Sequence, residues 1–90
     1  MKRLRLIIKG RVHGVFFRYT TKLLAEQLSL SGYVRNLPND TVEVVAQGDN
    51  DKLMQIVDFC HKGPESAVVT KVEIEELPVD ENLKGFKILY

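Results

Sequence analysis

Residues 33–47 read YVRNLPNDTVEVVAQ, and the fold turns on how this stretch is read. Tyr33 to Leu37 has the make-up of a short strand, and Pro38-Asn39-Asp40 is a turn cluster by composition. Proline presets one backbone dihedral there, and Asn and Asp tolerate the left-handed region. From Thr41 to Gln47 the chain alternates again, with Val42, Val44 and Ala46 on one face. Two strands this close together pair as a hairpin.

Each flank of the hairpin carries one strand and one helix. Upstream, Leu4, Leu6 and Ile8 point one way while Arg3, Arg5 and Lys9 point the other, the period of a half-buried strand. From Phe17 to Leu30, positions Thr20, Leu23, Leu24, Gln27 and Leu28 recur at helical spacing, and Ser31-Gly32 is the expected stop. Downstream, Gly48-Asp49-Asn50-Asp51 supplies N-cap candidates. Leu53, Ile56, Val57 and Cys60 then trace a helical stripe, ended by Lys62, Gly63 and Pro64. Val68, Thr70, Val72 and Ile74 alternate with Val69, Lys71, Glu73 and Glu75. A polar loop from Pro78 to Gly85 leads to a short last strand carrying Phe86, Ile88 and Tyr90.

The order is β-α-β-β-α-β plus a small C-terminal strand whose place in the sheet is open. Two strand-helix-strand units with right-handed crossovers, joined by a hairpin, interleave as a split βαβ. The expected fold is therefore α+β, a ferredoxin-like sandwich with two helices on one face of an antiparallel sheet. Arg3, Arg5, Glu43, Lys71 and Glu73 fall on the other face, which is expected to be wet. No repeat, linker or low-complexity tract interrupts residues 1–90, so they form a single domain.

Composition narrows the function classes. A net charge of +1 lacks the concentrated basic excess of a nucleic-acid binder, but leaves room for one specific anion. Cys60 is the only cysteine, so neither an internal disulfide nor a CxxC site can form. The apolar run in MKRLRLIIKG breaks at Lys9, short of a signal peptide. No segment approaches the roughly 20 apolar residues of a membrane helix. A cytoplasmic, monomeric domain without membrane contact is expected.

The remaining chemistry concentrates in residues 10–19, GRVHGVFFRY. Gly10 closes a strand and Gly14 precedes a helix. Glycines let successive N–H groups turn inward to form a concave anion nest. The helix start adds unpaired N–H groups and a favourable dipole. Arg18 carries a cation into that first turn, where the dipole alone disfavours it. Helical side chains lean toward the N-terminus, so its guanidinium can reach back and grip two phosphoryl oxygens. The corner suits a phosphate-sized dianion. Neither the Walker pattern nor GxGxxG is present.

The full string is more specific. Gly10, Val12, Gly14, Val15, Phe17 and Arg18 resemble the GxVQGVxFR motif of the acylphosphatases. Gly32, Val34, Asn36, Val42 and Glu43 resemble the family's GxVxNxxDGxVE motif, and Gly63, Pro64, Ala67, Val69 and Val72 its GPxxAxVxxV segment. The likeness runs from Leu4 to Tyr90. It implies hydrolysis of a carboxyl-phosphate anhydride to carboxylate and inorganic phosphate. It also implies that the loop His13, Gly14, Val15, Phe16 and Phe17 binds phosphate beside Arg18, and that Asn36 orients the attacking water. The chain departs from the pattern at His13, where glutamine is usual, at Tyr33, where tryptophan is common, and at Asn39-Asp40, where Asp-Gly is usual. His13 could add pH dependence to the loop, as histidine titrates near pH 6.5; a solvated loop position is its plainer reading.

The residues suit that reaction. Phosphoryl transfer asks mainly for positioning and charge stabilisation. A carboxylate leaving group, its conjugate acid near a pKa of about 4, departs without a general acid. That accounts for the lack of paired catalytic carboxylates. His13 and His61 lie in separate segments, and Asp49 and Asp51 read as helix-cap residues, so no metal or cofactor is expected. Cys60, Tyr33, Phe16, Phe17 and Phe86 read as packing. Two alternatives use the same scaffold. One is an RNA-binding module, for which the RNP1 pattern is missing; the other is a non-catalytic phosphate sensor. The sequence assigns no residue to the acyl half of the substrate.

Overall fold

The computed structural model describes residues 1–90. The hairpin forms between β2, Ser31–Leu37, and β3, Thr41–Gly48, with Leu37 paired to Thr41. Asn39 and Asp40 turn the chain with φ of 64° and 55°, a region their short polar side chains tolerate.

Around it lie β1, Lys2–Arg11; α1, Phe17–Gln27; α2, Asn50–Lys62; β4, Val68–Leu77; and β5, Phe86–Leu89. They form one sheet in the order β4-β1-β3-β2-β5. The first four strands pair antiparallel, as the ferredoxin-like order requires. β5 joins the outer edge of β2 in parallel, Gly32 opposite Phe86 and Arg35 opposite Leu89, so the complete sheet is mixed. α1 lies over β2 and β5, and α2 over β1 and β4. Leu6, Ile8, Val34, Val42 and Val44 from the sheet meet Phe17, Ala25, Leu53, Ile56 and Cys60 from the helices in one core. The α2 stripe of Leu53, Ile56, Val57 and Cys60 is buried as its spacing predicts. Burial pushes the Cys60 thiol up to about 12.

Three local expectations change. The buried stripe of α1 is Phe17, Thr21, Ala25 and Leu28, whereas Leu23 and Gln27 face solvent. Small residues let α1 sit close to the sheet, and the Thr21 hydroxyl is satisfied by donating to the Phe17 carbonyl at 2.7 Å. The helix ends at Gln27, Ser29 is left-handed with φ 57°, and Ser31-Gly32 already belong to β2. In β4 the alternation slips. Lys9 pairs with Lys71 but Gly10 with Val69, leaving Thr70 as the extra residue of a bulge. Val69 and Val72 therefore both reach the core, and Val68 and Thr70 turn outward.

The second sheet face is not simply wet. Glu43, Val45 and Gln47 of the central strand are buried there. Gln47 holds the 78–85 loop by donating to the Asp80 carbonyl and accepting from the Asp80 N–H, at 2.9 and 2.8 Å. Arg5 Nε and Arg35 Nε donate to the two Glu43 carboxylate oxygens at 2.5 and 2.6 Å. Burial alone pushes the Glu43 carboxyl up, but these two guanidiniums outweigh it and hold it below its ordinary value.

Candidate active site

The loop from Val12 to Phe16 joins β1 to α1 over the end of the β2–β3 hairpin. Gly14 and Phe16 both take left-handed φ, 69° and 63°. Such residues turn neighbouring N–H groups to one side of the chain. α1 begins without a side-chain cap and without an acid in its first turn. From His13 through Arg18, no backbone N–H donates to another group of the protein. The unpaired donors of the helix start thus have no acceptor within the protein, and its dipole favours negative charge there.

Two contacts fix this loop. Phe17 is buried, with its ring 5.6 Å from that of Phe59 on α2, which pins the start of α1. His13 is half-buried rather than solvated, and its Nε2 lies 2.7 Å from the Thr41 carbonyl at the start of β3. A carbonyl only accepts, so Nε2 carries the hydrogen.

A cavity of about 300 Å³ opens beside the loop. Gly14, Phe16 and Phe17 contribute to its wall, Arg18 enters from the first turn of α1, and Asn36 from β2. Asn36 lies two residues beyond Val34 on the helix-covered side of the sheet, opposite Val42. Its Oδ1 is buried and has no hydrogen-bond partner. An orphaned buried acceptor costs about 1–3 kcal/mol, and one in a native cavity points to a ligand or water that it serves. Arg18 takes part in none of the ion pairs of the molecule. Its guanidinium carbon sits 5.2 Å from the Tyr90 ring centroid, held by the ring face and not neutralised.

The fold thus brings Gly14, Phe16, Phe17, Arg18 and Asn36 to one cavity. His13 and Val15 are outside its lining: His13 anchors the loop, and Val15 packs against the core edge. Phe17 and Phe86 are core, as read, but Phe16 is 77% exposed at the cavity mouth instead of packed. Val12 also lines the cavity, and sequence reasoning missed Tyr19, Ile88 and Tyr90, which complete the wall. Tyr19 is the neighbour of Arg18 and could have been found from that alone. Ile88 and Tyr90 arrive only through the parallel pairing of β5.

Comparison with known proteins identifies the family and the fold. A model of the acylphosphatase family matches residues 4–88. The chain is 46% identical over 87 residues to an acylphosphatase of Rubrobacter xylanophilus, covering 97% of this chain and 79% of the relative. It is 46% identical to an acylphosphatase of Thermococcus kodakarensis, covering 99% of each. Its fold superposes on the crystal structure of acylphosphatase from Bacillus subtilis with a TM-score of 0.94 at 33% identity, covering both chains fully. No helix is long and apolar enough to cross a membrane. With the family model matched over nearly the whole chain, and residues of two of its motifs on the wall of one cavity, the chain belongs to the acylphosphatases, hydrolases acting on acid anhydrides.

Proposed function

We propose that acyl phosphate hydrolysis is carried here by the 13–18 amides, Arg18 and Asn36, with no step assigned to a metal. The phosphoryl group of a small acyl phosphate sits over the loop, its equatorial oxygens accepting from the backbone N–H groups and the Arg18 guanidinium. Such preorganised donors act where charge develops in the transition state. A water donates one hydrogen to Asn36 Oδ1, which aims its oxygen at phosphorus opposite the leaving carboxylate. The new P–O bond forms as the P–O bond to the acyl group breaks, and that electron pair departs with the carboxylate. The water's proton passes to a phosphoryl oxygen. A loose transition state demands little deprotonation early, so a neutral amide suffices to orient the water. The enzyme is read as a monomer of the cytoplasm, in keeping with its single, buried cysteine.

The observation that carries this reading is Asn36, whose buried Oδ1 has no partner, in the wall of the same cavity as an unneutralised arginine. The test is hydrolysis of benzoyl phosphate with chelator present and inorganic phosphate as competitor. Arg18→Ala is expected to lose about 10²–10³ in kcat/KM and to weaken phosphate inhibition. Asn36→Ala is expected to lose kcat by a similar factor while inhibition by phosphate changes by less than about twofold. Normal turnover by the Asn36 variant refutes the water-positioning role.

A further inference from the structure

Exposed rings crowd the mouth of the phosphate cavity. Phe16 is 77% exposed, Tyr19 56% and Tyr90 100%, and all three line the same opening together with half-buried Ile88. Large apolar side chains left this open are scattered singly on most surfaces; converging on one concavity they mark a binding site. Phe16 moreover keeps a left-handed φ of 63°, where a bulky side chain is disfavoured, and holds its ring outward there. Arg18 is the one charged residue in the wall.

We infer that this aromatic mouth is the subsite for the acyl group, and that it selects an apolar, planar acyl group over an anionic one. The inference rests on the hydrolytic reading above, since it takes the phosphoryl end as fixed by the loop and Arg18. With that cation committed to phosphate, a carboxylate or second phosphate on the acyl side meets two tyrosines, a phenylalanine and an aliphatic chain, none of which carries a positive side-chain charge. A charge desolvated there without a partner is penalised. An aryl group instead stacks against Tyr19 and Phe16, while Tyr90 stays engaged under the Arg18 guanidinium. A cavity of about 300 Å³ lies at the small end of ligand pockets, room for a phosphate and one ring.

Non-hydrolysable ligands test the subsite independently of turnover. Binding of methylphosphonate, benzylphosphonate and phosphonoacetate is measured by calorimetry on the full chain and on Tyr19→Ser and Tyr19→Phe. Tyr19 is more than half exposed on α1, so both replacements leave the core intact. In the parent, benzylphosphonate is expected to bind about tenfold tighter than methylphosphonate, and phosphonoacetate no tighter. Tyr19→Ser is expected to cut the benzyl preference to about threefold or less and leave methylphosphonate within about twofold, whereas Tyr19→Phe retains the preference. A parent preference near unity overturns the inference. So does a preference untouched by Tyr19→Ser, an equal loss for both phosphonates, or tighter binding of phosphonoacetate. A protein that prefers benzylphosphonate yet leaves benzoyl phosphate intact overturns the hydrolytic reading and keeps the subsite.

Discussion

His13 shows how a single side chain sets the geometry of the loop. Its Nε2 hydrogen bond to the Thr41 carbonyl, 2.7 Å long, ties the 13–18 loop to the hairpin that carries Asn36. The glutamine expected at this position from the resemblance also ends in an N–H donor. His13→Gln is therefore expected to keep KM for benzoyl phosphate within about twofold, and His13→Ala to raise it by about three- to tenfold, the worth of one neutral hydrogen bond. Steady-state kinetics of the two variants checks this. Equal KM values in both mean that the loop holds its shape unaided. Arg18 and Asn36 were legible as candidate site residues in a motif, and both line the cavity. What the string could not convey was that Asn36 Oδ1 would be buried and unpaired, because that depends on what the neighbouring strand and helix leave open.

At the scale of elements, the β1–β4 pair turns on Gly10. There φ is 133° and a Cβ would lie 2.0 Å from the Val68 carbonyl oxygen, so the bulge at Thr70 can form only against a glycine. Gly10→Ala has to move backbone on two strands at once. It is expected to lower stability by about 3 kcal/mol or more, read as a fall in the urea midpoint. A loss under about 1 kcal/mol would show that the bulge relaxes without strain. Element types were readable because hydrophobic period and stop signals are local. The α1 stripe differs from its apolar spacing because the sheet selects the small face of Thr21 and Ala25 for close approach and leaves the larger Leu23 exposed. The bulge was invisible for a related reason: one skipped pairing leaves no mark on composition.

Across the whole molecule, the uncovered sheet face is organised around Glu43, which is 2% exposed and shared by Arg5 of β1 and Arg35 of β2. The carboxylate thereby ties three strands together. Its folded value lies below the ordinary 4.5, so its contribution is complete above that pH and is lost as pH falls through the lower, folded value. Both arginines keep a third or more of their side-chain surface in solvent, which screens the pair. Glu43→Gln is expected to cost about 1–2 kcal/mol near pH 7 and to flatten the acid limb of stability below about pH 4.5. Urea unfolding at a series of pH values measures both; an acid limb as steep as the parent's would assign the loss to other carboxylates.

The sequence by itself determined the order and kind of the elements, the hairpin turn and the residue types from which a phosphate site is proposed. These depend on period, turn chemistry and charge among neighbours along the chain. The tertiary structure alone decided that β5 would run parallel to β2 and bring Ile88 and Tyr90 beside Arg18, and that Glu43 would be buried. Such outcomes follow from which strand edges meet and in what register. Register is fixed by packing between residues far apart in the chain, and no local pattern encodes it.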